Sequence, residues 1–187
     1  MTNLKETLFT LIELLDRLSI PYAVMGGVAV RAYGVPRPTY DIDLTLELRR
    51  EDLPDLFEHL RDDNYSIPEA YESGWVDDLK GLKLLKLVRY MQDKKLDVDL
   101  FLAETEFQAE IMKRRCRAEA EGRVIWLVSP EDLILLKLLA GRPRDIGDVT
   151  DVLFMQGQLD VEYMRRWAVE LGIKSDLERA LSEFSFE

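Results

Sequence analysis

Apolar residues recur at Leu4, Leu8, Leu11, Ile12, Leu15 and Leu18, a rhythm that predicts an amphipathic helix over 3–18. The pattern then shortens. Residues 22–25 read as a brief apolar strand running into Gly26-Gly27, and 27–33 as a helix stopped by Gly34, Pro36 and Pro38. An alternating strand, DIDLTL, follows, and then a helix over about 52–62. Residues 64–94 have the least regular pattern and suggest a hairpin around Gly74 and Gly81 with a strand over 84–90. A second alternating strand, KLDVDLFL, spans 95–102. After it come a basic helix over 105–120 and a strand over 123–128. Pro130 opens a helix through Ala140, with Ser129 as its N-cap and Asp132 as the acid of a capping box, and Gly141 and Pro143 end it. Helices near 145–156, 160–171 and 174–187 complete the chain. The order predicts an α/β (α+β) fold, a mixed sheet flanked by helices with a helical C-terminal portion. With no repeat, low-complexity tract or linker, 1–187 reads as one unit, 1–128 as its α/β core and 129–187 as its helical part.

The two alternating strands carry the chemistry. Side chains at i and i+2 leave a strand on the same face, so Asp41 and Asp43 point together while Ile42, Leu44 and Leu46 face a core. Adjacent carboxylates repel and lose solvation unless a cation lies between them. Mg²⁺ suits the pair, being a hard ion that takes one or two carboxylates plus substrate phosphates. Taken alone, an Asp-x-Asp on an edge strand can simply be solvated. The second strand changes the picture, with Leu96, Val98, Leu100 and Leu102 on one face and Asp97, Asp99 and Phe101 on the other. Asp is depleted in strands, and neighbouring placement of these two would bring three or four carboxylates onto one patch. Such a patch suits a two-metal phosphoryl-transfer site.

These residues resemble the polymerase-beta-type nucleotidyltransferase fold, whose pattern is a helix opening at Gly-Gly or Gly-Ser, then Asp-x-Asp or Asp-x-Glu, then a third Asp on a later strand. The matching positions are Gly26, Gly27 and Ala29, then Arg37-Pro38-Thr39 leading into Asp41-Ile42-Asp43-Leu44. More narrowly, the chain is similar to the small bacterial branch related to AbiEii-type toxins, whose C-terminal helical motif resembles SPEDLILLKLLAGRPRDIGDVTDVL, with Lys137 and Asp148 at its characteristic positions. The third carboxylate matches Asp99 better than Asp97. The resemblance implies transfer of a nucleotidyl group from an NTP, with two Mg²⁺ ions (Mn²⁺ as the alternative) held by Asp41, Asp43 and Asp99. It further implies an RNA or tRNA end as acceptor and an antitoxin protein as partner. Many members carry Gly-Ser where this chain has Gly27, so phosphate contacts there would come from backbone N–H groups. Gly26-Gly27 could equally make only a tight strand-to-helix turn.

Composition narrows the alternatives. A net charge of −11 argues against coating long nucleic acids by bulk electrostatics, although local basic patches remain. The densest is Lys113-Arg114-Arg115-Cys116-Arg117, which also reads as a solvated helix face. Cys116 is the one cysteine, so no internal disulfide forms, which fits a reducing compartment. With one histidine, His59, a histidine-based zinc site or triad has almost no material. No signal-peptide pattern or membrane-length apolar run occurs, and a cytoplasmic location is expected.

Of the remaining polar residues, Arg37 could reach a triphosphate or pair with an acid. Thr39 could contact phosphate or simply open the strand. Lys137, on the apolar run LILLKLLA, calls for a carboxylate or phosphate partner, and the resemblance implies that it faces the cleft. Asp145 and Asp148 read as caps or lysine partners. The expected reaction is therefore Mg²⁺-dependent nucleotidyl transfer, with Gly26, Gly27, Arg37, Thr39 and Lys137 on the nucleotide. The alternatives are a small-molecule (antibiotic) nucleotidyltransferase, a catalytically silent nucleotide-binding module, or a metal-binding structural domain.

Overall fold

A computed structural model of the chain describes residues 2–91 and 94–184. The amphipathic stripe forms α1 (Thr2–Arg17), and β1 (Tyr22–Val24) leads into α2 (Gly26–Tyr33). β2 (Asp41–Leu46) is followed by a 3₁₀ turn at Arg50–Asp52 and by α3 (Leu53–Asp62). The irregular stretch resolves into β3 (Tyr65–Ser66), α4 (Glu69–Glu72), β4 (Asp77–Leu79) and β5 (Leu82–Met91). The turn from β4 to β5 is made at Lys80 and Gly81, both at positive φ (52° and 89°), which suits a tight hairpin. β6 (Lys94–Leu102) is the second acidic strand, and α5 (Glu106–Arg114) follows it.

Here the expected helix over 105–120 is corrected. It stops at Arg114, and Cys116–Ala120 forms β7, paired antiparallel with β8 (Arg123–Leu127). The helix ends where Arg115 leaves helical geometry at ψ 140°, and Glu121 and Gly122, at φ 52° and 76°, supply the hairpin turn between β7 and β8. The basic cluster is thereby split between a helix end and a strand. The C-terminal part comprises α6 (Pro130–Ala140), α7 (Pro143–Met155), α8 (Val161–Glu170) and α9 (Lys174–Ser182). Ser129 caps α6 by accepting from the Asp132 amide, and it also donates from Oγ to the Asp132 carboxylate.

The strands join in one mixed sheet, ordered β3-β5-β6-β2-β1-β8-β7, with β4 also on β5. β1 is antiparallel to β2 and parallel to β8, β2 is parallel to β6, and β5 is antiparallel to β6. One face packs against α1 and α3 through Ile42, Leu44, Leu46, Leu85, Leu87, Val98 and Leu100. The other face packs against α2, α5 and the C-terminal helices through Met25, Leu82, Leu84 and Phe101. No described helix is long and apolar enough to cross a membrane.

Leu100 has no solvent exposure and sits at the middle of the sheet. Leu100→Ala is expected to lower unfolding free energy by about 2–5 kcal/mol. Urea denaturation of the variant beside the parent chain measures this.

Candidate active site

The acids come together through strand register. β2 and β6 pair parallel with Asp41 beside Asp97 and Asp43 beside Asp99, so two rungs of carboxylates share one face. The intervening Ile42, Leu44, Val98 and Leu100 are fully buried on the other face. Among the described residues, no three histidine, cysteine or acidic side chains already close around a point as a metal cage does. An ion that takes one or two carboxylates and completes its shell from substrate phosphates and water needs no such cage.

The electrostatics match that reading. Burial, with Asp41 and Asp99 adding repulsion, pushes the half-buried Asp43 carboxyl up to about 7, while Lys137 and Arg142 pull against it. Burial also raises Asp99, against the pull of Lys86 and with Asp41, Asp97 and Asp77 reinforcing it. This is an oxygen-donor set short of positive charge, and a divalent cation fits it. Asp97 is exposed, whereas Asp43 and Asp99 both line the cleft between the sheet and α6, which favours Asp99 as the third carboxylate.

The glycine pair makes room for this arrangement. The Met25 amide donates to the Asp43 carbonyl at 2.9 Å, holding the end of β1 against β2. Gly26 follows at φ +58°, where a Cβ would lie 1.9 Å from Asp43 Oδ2. At Gly27 a Cβ would lie 2.2 Å from Thr39 Oγ1. That hydroxyl donates to Asp41 Oδ1 at 2.8 Å. The space that a serine would take at position 27 is therefore filled by Thr39, which orients the first carboxylate. The first-turn N–H groups of α2 have no intrahelical acceptors and remain available to an anion.

A second layer of charge comes from the C-terminal helices. Lys137 Nζ lies 3.0 Å from Asp145 and 2.8 Å from Asp148, with all three side chains buried. Arg37 forks onto Asp148 at 2.5 and 2.6 Å, and Arg142 contacts Asp145 at 2.6 Å. Burial alone would raise both acids. For Asp145, hydrogen bonds from Arg142 and Lys137 outweigh it; for Asp148, those from Arg37 and Lys137 do, and both acids are held below the ordinary carboxylate range. Three cations against two carboxylates leave one positive charge in excess. Lys137 and Arg142 bring it to the cleft that also contains Gly26, Asp43 and Asp99. This cleft has a volume of about 80 Å³, and its remaining walls are mostly apolar, Met25, Leu82, Phe101 and Leu136 among them.

Of the residues named from sequence, Asp41, Asp43, Asp99, Gly26, Gly27 and Thr39 are brought together. Arg37 takes the acid-pair alternative, on Asp148. Lys137 reaches the cleft wall, yet its ammonium is already held by two acids. The Lys113–Arg117 cluster is largely internally engaged. Lys113 meets Glu110, Arg114 stacks on Tyr163 at 3.8 Å and pairs with Glu131, and Arg117 pairs with Glu119. Sequence reading missed Lys86, which faces Asp99 across β5 and β6. It also missed Lys80, whose ammonium donates to the Leu139 carbonyl at 2.6 Å and ties the β4–β5 turn to the end of α6. The alternation of LKLLKLVRY could have placed Lys86 on a face, but its partner emerges only from the pairing with β6.

Comparison with known proteins gives the chain a family and a shared fold. The chain belongs to the family described as a nucleotidyltransferase of unknown function (DUF6036), which matches residues 1–186. No curated protein matches it. Among solved structures it is similar to an antigenic nucleotidyltransferase-like protein from Paracoccidioides brasiliensis, at 20% identity and a TM-score of 0.58 over 96% of this chain and 92% of that one. ANT(2″)-Ia, solved in complex with adenylyl-2″-tobramycin, matches at 19% identity and a TM-score of 0.59 over 89% and 96% of the two chains. The lincomycin-bound lincosamide antibiotic adenylyltransferase LnuA matches at 17% identity and a TM-score of 0.55 over 81% and 97%. At these identities the likeness establishes a shared fold.

Two outcomes follow from the electrostatics. Asp43 binds its proton more tightly folded than unfolded, so metal-free stability falls as pH rises from the ordinary carboxylate range through about 7. Asp43→Asn removes that loss. Thermal unfolding without metal is expected to show the variant more stable than the parent at pH 8, by up to about 4 kcal/mol, and near parity at pH 4. Lys137→Met leaves two buried acids with one partner each and is expected to cost about 3–5 kcal/mol in a urea titration at pH 7.

Proposed function

We propose that this chain transfers a nucleotidyl group from an NTP to an acceptor hydroxyl, releasing pyrophosphate. The observation that carries the reading is the register of β2 with β6, which sets Asp43 beside Asp99 at the mouth of a cleft that also bears cations. Asp41, Asp43 and Asp99 would hold Mg²⁺, or Mn²⁺ in its place, with two ions as the expected number. The bound metal supplies charge neutralisation for the phosphates and a lower pKa for the attacking hydroxyl.

The chain's own groups do the rest. The free amides of Gly26 and Gly27 meet phosphate oxygens at the start of α2. Thr39 keeps the Asp41 carboxylate turned toward the phosphates. Asp99 accepts the acceptor's proton as its oxygen forms a bond to the α-phosphorus. The bond from that phosphorus to the pyrophosphate oxygen breaks, and the charge on the leaving group is met by Arg142 and Lys137. Arg37 acts at one remove, since its fork on Asp148 fixes the acid that steadies Lys137. The apolar cleft walls suit a nucleobase. Such catalysis depends on positioning and charge, and no covalent nucleophile is required.

For the acceptor, the resemblance to AbiEii-type toxins supports an RNA or tRNA end, with an antitoxin as the protein partner and the cytoplasm as the setting. A second reading, a small hydroxylated acceptor such as an antibiotic, is favoured by the shared fold of LnuA and ANT(2″)-Ia.

Purified protein with Mg²⁺ and each α-labelled NTP, incubated with total RNA and soluble extract, tests the reaction. Label is expected in an acceptor fraction, and Asp41→Asn/Asp43→Asn should reduce it at least about 100-fold. Transfer that survives in the double variant would sink the assignment. Mg²⁺-dependent thermal stabilisation by an NTP without any product would replace it with a silent binding module.

A further inference from the structure

We propose that Lys80, on the β4–β5 turn, is a ligand for the outer phosphates of the nucleotide, and that its ammonium moves to them from the end of α6. The proposal rests on the transfer reading above and adds a binding residue to that site.

The cations that line the cleft are not equivalent. Lys137 is held between Asp145 and Asp148, and Arg142 is paired with Asp145. Lys80 lines the same cleft as Gly26, Asp43 and Asp99, yet its ammonium rests on neutral acceptors, the carbonyls of Leu139 at 2.6 Å and Ala140 at 3.4 Å. No ion pair engages it among the described residues. Those carbonyls end α6, where main-chain acceptors lack helical partners and the helix dipole favours a cation. Water can take over such acceptors, since Gly141 beside them is exposed. An ammonium gains more from an anionic phosphate than from a neutral carbonyl, so a triphosphate in the cleft draws Lys80 away from the helix end.

Its position suits the outer phosphates. A Cβ at Gly141 would lie 3.6 Å from the lysine nitrogen, which places the ammonium one residue from Arg142. Arg142 in turn acts on Asp43 from across the cleft. The turn that carries Lys80 is also free to move. Lys80 and Leu79 are exposed, and a Cβ at Gly81 would meet nothing within 4 Å. Room is the second argument. Ligand pockets commonly hold about 300–1,000 Å³, and the cleft has about 80 Å³. Lys80 and Leu139 also line a second hollow of about 550 Å³, together with Ile146, Gly172 and Ile173. Release of the ammonium from α6 parts the turn from the helix end and opens one hollow into the other. The movement that brings Lys80 to phosphate thus also enlarges the cleft.

Isothermal titration with Mg²⁺ and no acceptor tests the role independently of turnover. Each NTP, its NMP and inorganic tripolyphosphate are compared on the parent chain, Lys80→Met and Lys80→Arg. Lys80→Met keeps the apolar stem and removes the charge. It is expected to weaken NTP and tripolyphosphate about tenfold, the loss of one hydrogen bond between charged groups. NMP binding should stay as in the parent, which also shows that the variant folds with its cleft intact. Lys80→Arg should keep most of the parent's affinity for NTP.

Full NTP affinity in Lys80→Met would overturn the role of Lys80 and leave the transfer reaction standing. So would a change of the same size for NTP and NMP, which would make the lysine a wall of the cleft and nothing more. A parent chain that binds no NTP would overturn both the lysine's role and the reaction.

Discussion

Everything in the candidate site depends on the parallel pairing of β2 with β6 in one register. Because side chains alternate along a strand, a slip of one residue would turn the carboxylates inward and the leucines outward. Ile42, Leu44, Leu46, Val98, Leu100 and Leu102 are all fully buried, so such a slip is prohibitive. Each contributes about 1.5–3 kcal/mol by burial, against roughly 4 kcal/mol as the upper cost of ionising Asp43 in place. The apolar face therefore wins decisively and forces together acids that would otherwise separate. The site is held under repulsion by the core behind it.

That repulsion explains the groups gathered around it. Gly26 and Gly27 are required for clearance, since any side chain at either would enter Asp43 or Thr39. Thr39, held in the cleared space, restrains Asp41. On the opposite wall, Lys137 cannot be a freely donated phosphate ligand, because Asp145 and Asp148 hold it between them. The network of Arg37, Lys137 and Arg142 with these two acids instead delivers a fixed excess of one positive charge. Fixed charge of this kind stabilises developing negative charge without reorganisation.

Much of the sheet and its acids was legible because both depend on period-2 alternation. DIDLTL and KLDVDLFL each display their two faces in sequence, and Ser129, Pro130 and Gly141 mark the ends of α6. What was not legible depends on contacts between distant segments. The RRCRAEAEGR stretch has helix formers and basic residues, yet the positive-φ pair Glu121 and Gly122 and the pairing with β8 turn its second half into β7. Arg37 offered two partners in sequence, and only the packing of α7 selects Asp148. Lys86 carried no local signal, because its meaning comes from the register partner Asp99.

The extent of the helical layer is itself written along β5. On the acid-bearing face the strand changes from Leu82 and Leu84 to Lys86 and Tyr90, while Leu85 and Leu87 on the reverse face stay buried throughout. A helix packed over Lys86 would have to desolvate an ammonium beside only Asp99, so the covering layer ends there. The acids consequently lie on a boundary, with a mostly apolar cleft on one side and an open sheet surface bearing Lys86, Tyr90, Lys95 and Asp97 on the other. A nucleotide has an apolar base and a charged tail, and an acceptor must approach from a side the nucleotide does not fill. On the proposed transfer reaction, a sheet that is half covered gives each substrate its own approach to the same carboxylates.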